Sequence, residues 1–443
     1  EYMNNFHLLP INNFQRGQDE KSEQVFANVF WEQFLKKKRA DGCYFGCNLS
    51  CAKGAEEVTL QYGPKKGSIV GIDGPEYETV GAVTGFGIFD AQYTMEYNWY
   101  CDEYGIDAIS TGVVMAFIME CWQRGFLTRE EVGYDLNWGD IEAADRLFHE
   151  TATAKGVGRI AANGVQQAKL WIANNHAKKS GTPVEDVLGE LEKFAMARKG
   201  LECSMYISRE SLAQQGGYGL ALKGPQHDEA WLIFLDQVHR EMETFEMKTA
   251  ALKWFPLIRT WFSAVGLCKL PWIDVRHAEA EKTDNPAQNI PSFNLYIQFL
   301  NATTGSNKTI DDILQDSERL HLLQKMINLR QGKGTREFDL IPLRAMAPAF
   351  PAEYRTREAY YDEWLNKNME KGSQIPETIA EKHRLLVQLR KEAYETLCDS
   401  VYKAKGYSIN GIPLPETLKR FDLFDEKALV IFKTYGFTTE LRN

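Results

Sequence analysis

Apolar residues recur at three- and four-residue steps over most of the chain, the period of a helix that buries one face. Residues 22–38, 92–104, 108–124, 141–154 and 158–178 follow that pattern, and so do 183–198, 226–250, 309–330 and 376–404. A helix start is written into SGTPVEDVLGELEKF from Ser180, with Pro183 near the first turn and acids behind it. Strand-like stretches are rare. EVTLQYG (57–63) and GSIVGID (67–73) predict a hairpin joined through PKKG. The expected fold is mainly α, two helical domains with minor β, divided near KKSGTP into residues 1–182 and 183–443.

Composition narrows the classes. A chain of 443 residues exceeds what one hydrophobic core usually serves. Its 44% hydrophobic and 25% charged residues are those of an ordinary globular protein. No run reaches the eighteen or so apolar residues of a membrane span, and no leader peptide is visible, so a cytoplasmic protein without a span is expected. Because the first residue is Glu1 and not Met, a fragment or processed chain is also expected. Acidic side chains outnumber basic ones 61 to 51. That balance argues against nucleic-acid binding, which needs a basic surface to displace counterions. The short run KKKR (36–39) reads as a solvated helix end.

Thiols change the picture most. GCYFGCNLSC (42–51) places Cys43, Cys47 and Cys51 at intervals of four, among glycines that would weaken a helix. Clustered thiolates suit zinc or an iron–sulfur cluster. A fourth ligand would come from Cys101, Cys121, Cys203, Cys268 or Cys398. Cys121 and Cys398 sit in helical patterns that suit the core, whereas Cys268 sits beside a glycine turn and is the best candidate.

Other chemistry is sparser. Glu76 and Glu78 in DGPEYET (73–79) are proton-handling candidates, to be weighed against a plain solvated turn. ALKGPQHDEAW (221–231) brings Lys223 and His227 together with acids on a loop, and His227 is an acid/base candidate. His149 reads as a capping or core residue. GVGRIAANG (156–164) has no complete nucleotide fingerprint and is read as opening a helix whose amides face an anion. The nucleophile elbow, the paired-histidine zinc motif and the phosphate-binding loop are all missing, which removes hydrolase and kinase readings. DEYGIDA (102–108) and SAVGLCK (263–269) share one frame, a glycine followed by an aliphatic residue and then Asp or Cys.

In order, LLPINNFQRG (8–17), the cysteine cluster, GPEYET, CDEYGIDAISTG, GVGRIAANG, LKG, GLC and YKAKGYSINGIPLPETL (402–418) resemble the tungstopterin aldehyde:ferredoxin oxidoreductase family along the whole chain. The resemblance implies the family's two C-terminal domains. It also implies a tungsten bis-pyranopterin of the molybdopterin type and a 4Fe–4S cluster held by Cys43, Cys47, Cys51 and Cys268. Asp102, Gly105 and Asp107 would serve the first pterin. Ser263, Gly266 and Lys223 would contribute to cofactor binding beside the second. Four features depart from the family pattern. Three residues stand between each successive pair of the first three thiols, where the family has two and then three. Ser263 stands where an aspartate is expected. Cys101 takes the place of a bridging-iron glutamate, with His149 near the matching histidine. The family's N-terminal base domain lies outside these residues.

The implied function is low-potential two-electron chemistry, with an aldehyde oxidised to a carboxylic acid and ferredoxin taking the electrons. KGPQHDEAW and RTWFSAVGLCKLPW (259–272) resemble the branch of the class II benzoyl-CoA reductase active-site subunit, for which an aryl-CoA ring would be reduced. A non-catalytic iron–sulfur electron-transfer subunit is the third reading. An oligomer, paired with ferredoxin or an iron–sulfur subunit, is expected.

Overall fold

The computed structural model describes residues 1–35, 40–43, 47, 49, 51–270 and 291–436. The chain forms two compact units, residues 1–209 with 342–387, and residues 210–341 with 388–443. The single boundary expected near 182 is not where the chain divides. KKSGTP ends one helix of the first unit and turns into the next, and an ion pair between buried Lys169 and half-buried Glu192 ties those helices together.

In the first unit the helices of eight residues or more are α1 (Tyr77–Gly85), α2 (Ala91–Tyr104), α3 (Ala108–Gln123), α4 (Ile141–Ala152), α5 (Gly164–Ser180) and α6 (Val184–Glu192), joined in the returning segment by Glu358–Asn368 and the first part of Ile379–Lys405. A small antiparallel sheet runs in the order β1 (Ala40–Asp41), β2 (Ala52–Thr59), β3 (Ile69–Asp73). The expected hairpin is present, with Thr59 opposite Ile69 and a bulge between Ala55 and Val58. Its inner face joins Leu9, Ile11, Val25, Phe30 and Met95 in one apolar cluster. Residues 22–38 do not make one helix. Short turns at Glu20–Val25, Ala27–Phe30 and Trp31–Leu35 replace it, and KKKR lies outside the described residues.

α3 is buried almost throughout, from Thr111 to Cys121, and serves as the unit's central rod. It packs closely on α1 because Gly112 lacks a side chain. A Cβ there would lie 2.5 Å from the Cβ of Ala82. The returning segment is fixed to α3 by Arg344, whose guanidinium pairs with Glu120 at 2.8 Å and donates to the Asn13 carbonyl at 2.9 Å.

The second unit has α7 (Leu212–Gly219), α8 (Phe245–Ala264), α9 (Pro291–Thr304) and α10 (Ile310–Arg330), with the later part of Ile379–Lys405 and Glu426–Thr434. Its core gathers Leu232, Phe255, Ile258, Trp261, Phe293 and Leu397. The helix expected over 226–250 is not formed, and α8 starts only at Phe245. Buried Gln214 explains this. Its side-chain amide donates to the Ala230 carbonyl at 2.9 Å, and its oxygen accepts from the amides of Leu232 and Ile233. Those backbone groups are satisfied without a long helix, and the apolar run is buried as an irregular segment with one π-helical turn at Phe234–Val238.

Among the described residues no single helix is long and apolar enough to cross a membrane. The α2–α3 pair reaches that apolarity only jointly and bends by 114° between its halves.

Candidate cofactor and proton-transfer site

The two glycine frames form the same local structure. Gly105 (φ +65°) ends α2, and Gly266 (φ +73°) follows the end of α8, both in the left-handed region that suits glycine. After the first, the Ile106 amide bonds back to the Cys101 carbonyl at 3.0 Å. After the second, the Leu267 amide bonds back to Phe262 at 2.8 Å. The frames then diverge. Asp107 caps α3 by accepting the Ser110 amide at 2.7 Å, so this acid has a structural task as well. Cys268 heads into an exposed turn, its sulfur accepting the Leu270 amide at 3.4 Å. Asp102, Asp107, Ser263 and Gly266 are exposed at these turns.

The two candidate glutamates part company. Glu76 lies on the surface, its side chain 67% exposed, paired to Lys53 at 2.9 Å. Glu78 sits at the start of α1 and accepts the Met205 amide at 2.7 Å. Burial pushes its carboxyl up to about 8. The Met205 bond opposes that rise and the charge of Asp107 adds to it. At neutral pH Glu78 is therefore a protonated acid. Its neighbour Tyr77 stacks on Tyr206 and donates to the Met205 carbonyl, bracing the same turn from its other side. Nothing in the spacing marked Met205 as the group that holds Glu78.

In the second unit Lys223, Asp228, Arg259, Ser263, Lys269 and Asn328 line a cavity of about 290 Å³. Asp228 bridges Lys223 at 2.8 Å and Lys269 at 3.3 Å. Arg259 is fully buried. Its signal in the sequence was a lone charge on the apolar face of a helix, and it went unread, as did Lys269. His227 packs edge-on to Trp231 at 4.9 Å. Burial lowers its imidazole to about 4, Asp228 opposing and the charges of Lys223, Arg259 and Lys269 adding to the fall. It is neutral at pH 7, a proton acceptor and not a cationic donor.

The eight cysteines are all among the described residues and stand as thiols. Asp41 pairs with Ala52, and the described thiols between them, Cys43, Cys47 and Cys51, lie outside any helix or strand. In donor type and loop position the three thiols fit an iron–sulfur cluster that lacks one ligand. Among the described residues no three Cys, His, Asp or Glu side chains converge as a ligand set. Cys268 belongs to the second unit. Cys101 and Cys121 are buried in the first unit's core and Cys398 in the second's, their thiols raised by desolvation.

Two remaining motifs are absorbed by packing. His149 is held between the Tyr104 hydroxyl at 2.9 Å and Asp145 at 3.4 Å. In GVGRIAANG, Gly158–Ala161 is a single turn, and Gly158 is pressed against the backbone of Glu150. The anion at the start of α5 is the protein's own Glu202 carboxylate, which accepts the Val165 amide at 2.9 Å.

This frame, two helix-ending glycine turns and a three-thiol loop in a mainly helical chain, has a match among known proteins. Residues 1–423 fit the family described as aldehyde ferredoxin oxidoreductase, domains 2 and 3, and the chain belongs to that family. Over 222 residues it is 32% identical to the aliphatic sulfonate oxidoreductase, WOR-like subunit, of Pyrococcus furiosus, covering 49% of this chain and 32% of that protein. Over 352 residues it is 25% identical to the tungsten-containing aldehyde ferredoxin oxidoreductase of Thermococcus kodakarensis, covering 78% of this chain and 51% of the relative. The chain thus spans between a third and a half of the length of these relatives. Among solved structures it resembles the active site complex BamBC of benzoyl coenzyme A reductase in complex with 1,5-dienoyl-CoA. The TM-score is 0.58 at 17% identity, over 92% of this chain and 56% of that one, a likeness of fold.

Proposed function

We propose that the chain forms the catalytic part of a tungsten-pterin oxidoreductase that oxidises an aldehyde to a carboxylic acid, with ferredoxin accepting the electrons. The observation that carries this reading is the fit of residues 1–423 to the aldehyde ferredoxin oxidoreductase family, and Glu78, on the helix that packs against α3, supplies a desolvated acid able to handle a proton there. Asp102, Gly105 and Asp107 would hold one pterin. Ser263, Gly266 and Lys223 would contribute to the other, and Cys43, Cys47, Cys51 and Cys268 would ligate the cluster. When bound, these groups supply the low-potential electron pair chemistry and its single-electron outlet. The chain's own work is to position them, exclude water and move the proton at the Glu78 carboxyl, with neutral His227 as an acceptor.

A second reading, reduction of an aryl-CoA ring, is favoured by the protonated state of Glu78 at neutral pH, which suits a proton donor. Elemental analysis of the purified protein tests the proposal against a simple electron relay. Tungsten with iron is expected, and iron alone would leave only the relay. Cys268→Ala is expected to abolish the cluster's visible absorption and lower bound iron; unchanged absorption would remove Cys268 from the ligand set.

A further inference from the structure

The first unit holds a further cavity, of about 460 Å³, to which, among the described residues, neither the glycine turns nor the three thiols contribute. Its apolar walls include Leu9, Phe26, Phe30, Trp31, Tyr77 and Val80. The volume falls in the range of small-molecule sites and is well above the roughly 150 Å³ that admits benzene. Four of these six walls are aromatic, which favours a flat ring that can meet them edge-on or offset. Glu1, Asn4, Lys53 and Glu76 also border the cavity, and Lys53 and Glu76 neutralise each other at 2.9 Å.

One buried polar group at the cavity stands without a partner among the described residues. Ser22 borders the cavity, is 0% exposed, and its hydroxyl has no hydrogen-bond partner among the described residues. A buried hydroxyl without a partner costs stability that native proteins rarely leave uncompensated. A ligand carbonyl can accept from it.

We infer that this cavity is a binding site for a neutral aromatic carbonyl compound of one or two rings, with Ser22 donating to the carbonyl and the aromatic walls enclosing the ring. The Glu78 carboxyl does not line the cavity, so the site stands whether or not the redox reading holds. Titration calorimetry on the intact protein tests it with two probes of similar shape, acetophenone and ethylbenzene, which lacks the carbonyl. Ser22→Ala is expected to weaken acetophenone binding roughly fivefold to tenfold, as loss of one hydrogen bond does, and to leave ethylbenzene unchanged. Val80→Phe fills the space and is expected to abolish binding of both. Circular dichroism establishes that each variant is folded. The assignment falls if the folded wild-type protein binds no acetophenone up to its solubility, as it would were another part of the protein to fill the cavity. It falls equally if both variants bind acetophenone as the wild type does.

Discussion

Replacing Glu78 by Gln is expected to lower turnover by about 10²- to 10⁴-fold, the usual contribution of a positioned general acid or base. Folding and metal content should be retained, because the amide oxygen can still accept from the Met205 amide. The pH profile separates the two substrate readings. Glu78 loses its proton as pH rises through about 8. If the enzyme oxidises an aldehyde with Glu78 as base, kcat/KM rises through that pH. If Glu78 donates a proton to a ring, kcat/KM falls there instead. Glu78→Gln removes the limb in either case, and a variant that keeps both the rate and the limb would clear Glu78 of any role. Stability moves independently of rate. The folded carboxyl titrates above its ordinary value of 4.5, so between those values the native state holds a proton that the unfolded chain has released. Its contribution therefore weakens as pH rises from about 4.5 to about 8, and the Gln variant should gain stability over the wild type above that window.

The second large effect concerns the first unit's interior. Arg344 and Glu120 are 5% and 0% exposed and pair through two hydrogen bonds. Arg344→Met takes away the carboxylate's bidentate partner, leaving it Arg124 and Asn13, and is expected to cost roughly 3 kcal/mol in urea unfolding, whereas Arg344→Met with Glu120→Met should recover part of that loss. Single variants within about 0.5 kcal/mol of the wild type, the ordinary scatter of surface substitutions, would show that the pair does not hold the returning segment. Burial alone would raise Glu120, but Arg344, Arg124 and Asn13 outweigh it and hold the carboxyl below its ordinary 4.5. This contribution is complete above about 4.5 and is lost as pH falls through the lower folded value.

Several features were legible because they are local. A glycine that must turn left-handed ends a helix wherever it stands, so the echo at Gly105 and Gly266 could be read as one motif before any coordinates. The 57–73 hairpin followed from its turn, and α2 and α3 from their apolar period. Long-range satisfaction was not legible. Glu76 and Glu78 are two residues apart in near-identical context. One is a solvated ion pair and the other a desolvated acid, a difference made by burial where the Met205 segment, more than a hundred residues away, packs on α1, the Met205 amide bond itself opposing the shift. Gln214 likewise dissolves a helix that periodicity predicts, by bonding the backbone sixteen to nineteen residues downstream.

By itself the sequence determined the helical class, the family, the three-thiol loop and both glycine turns, since each depends on residues within a few positions of one another. Tertiary structure alone decided the discontinuous first unit, the protonation states of Glu78 and His227, the filling of the α5 anion site by Glu202 and the cavity around Ser22. Burial and charge proximity set all four, and both arise only when distant segments meet.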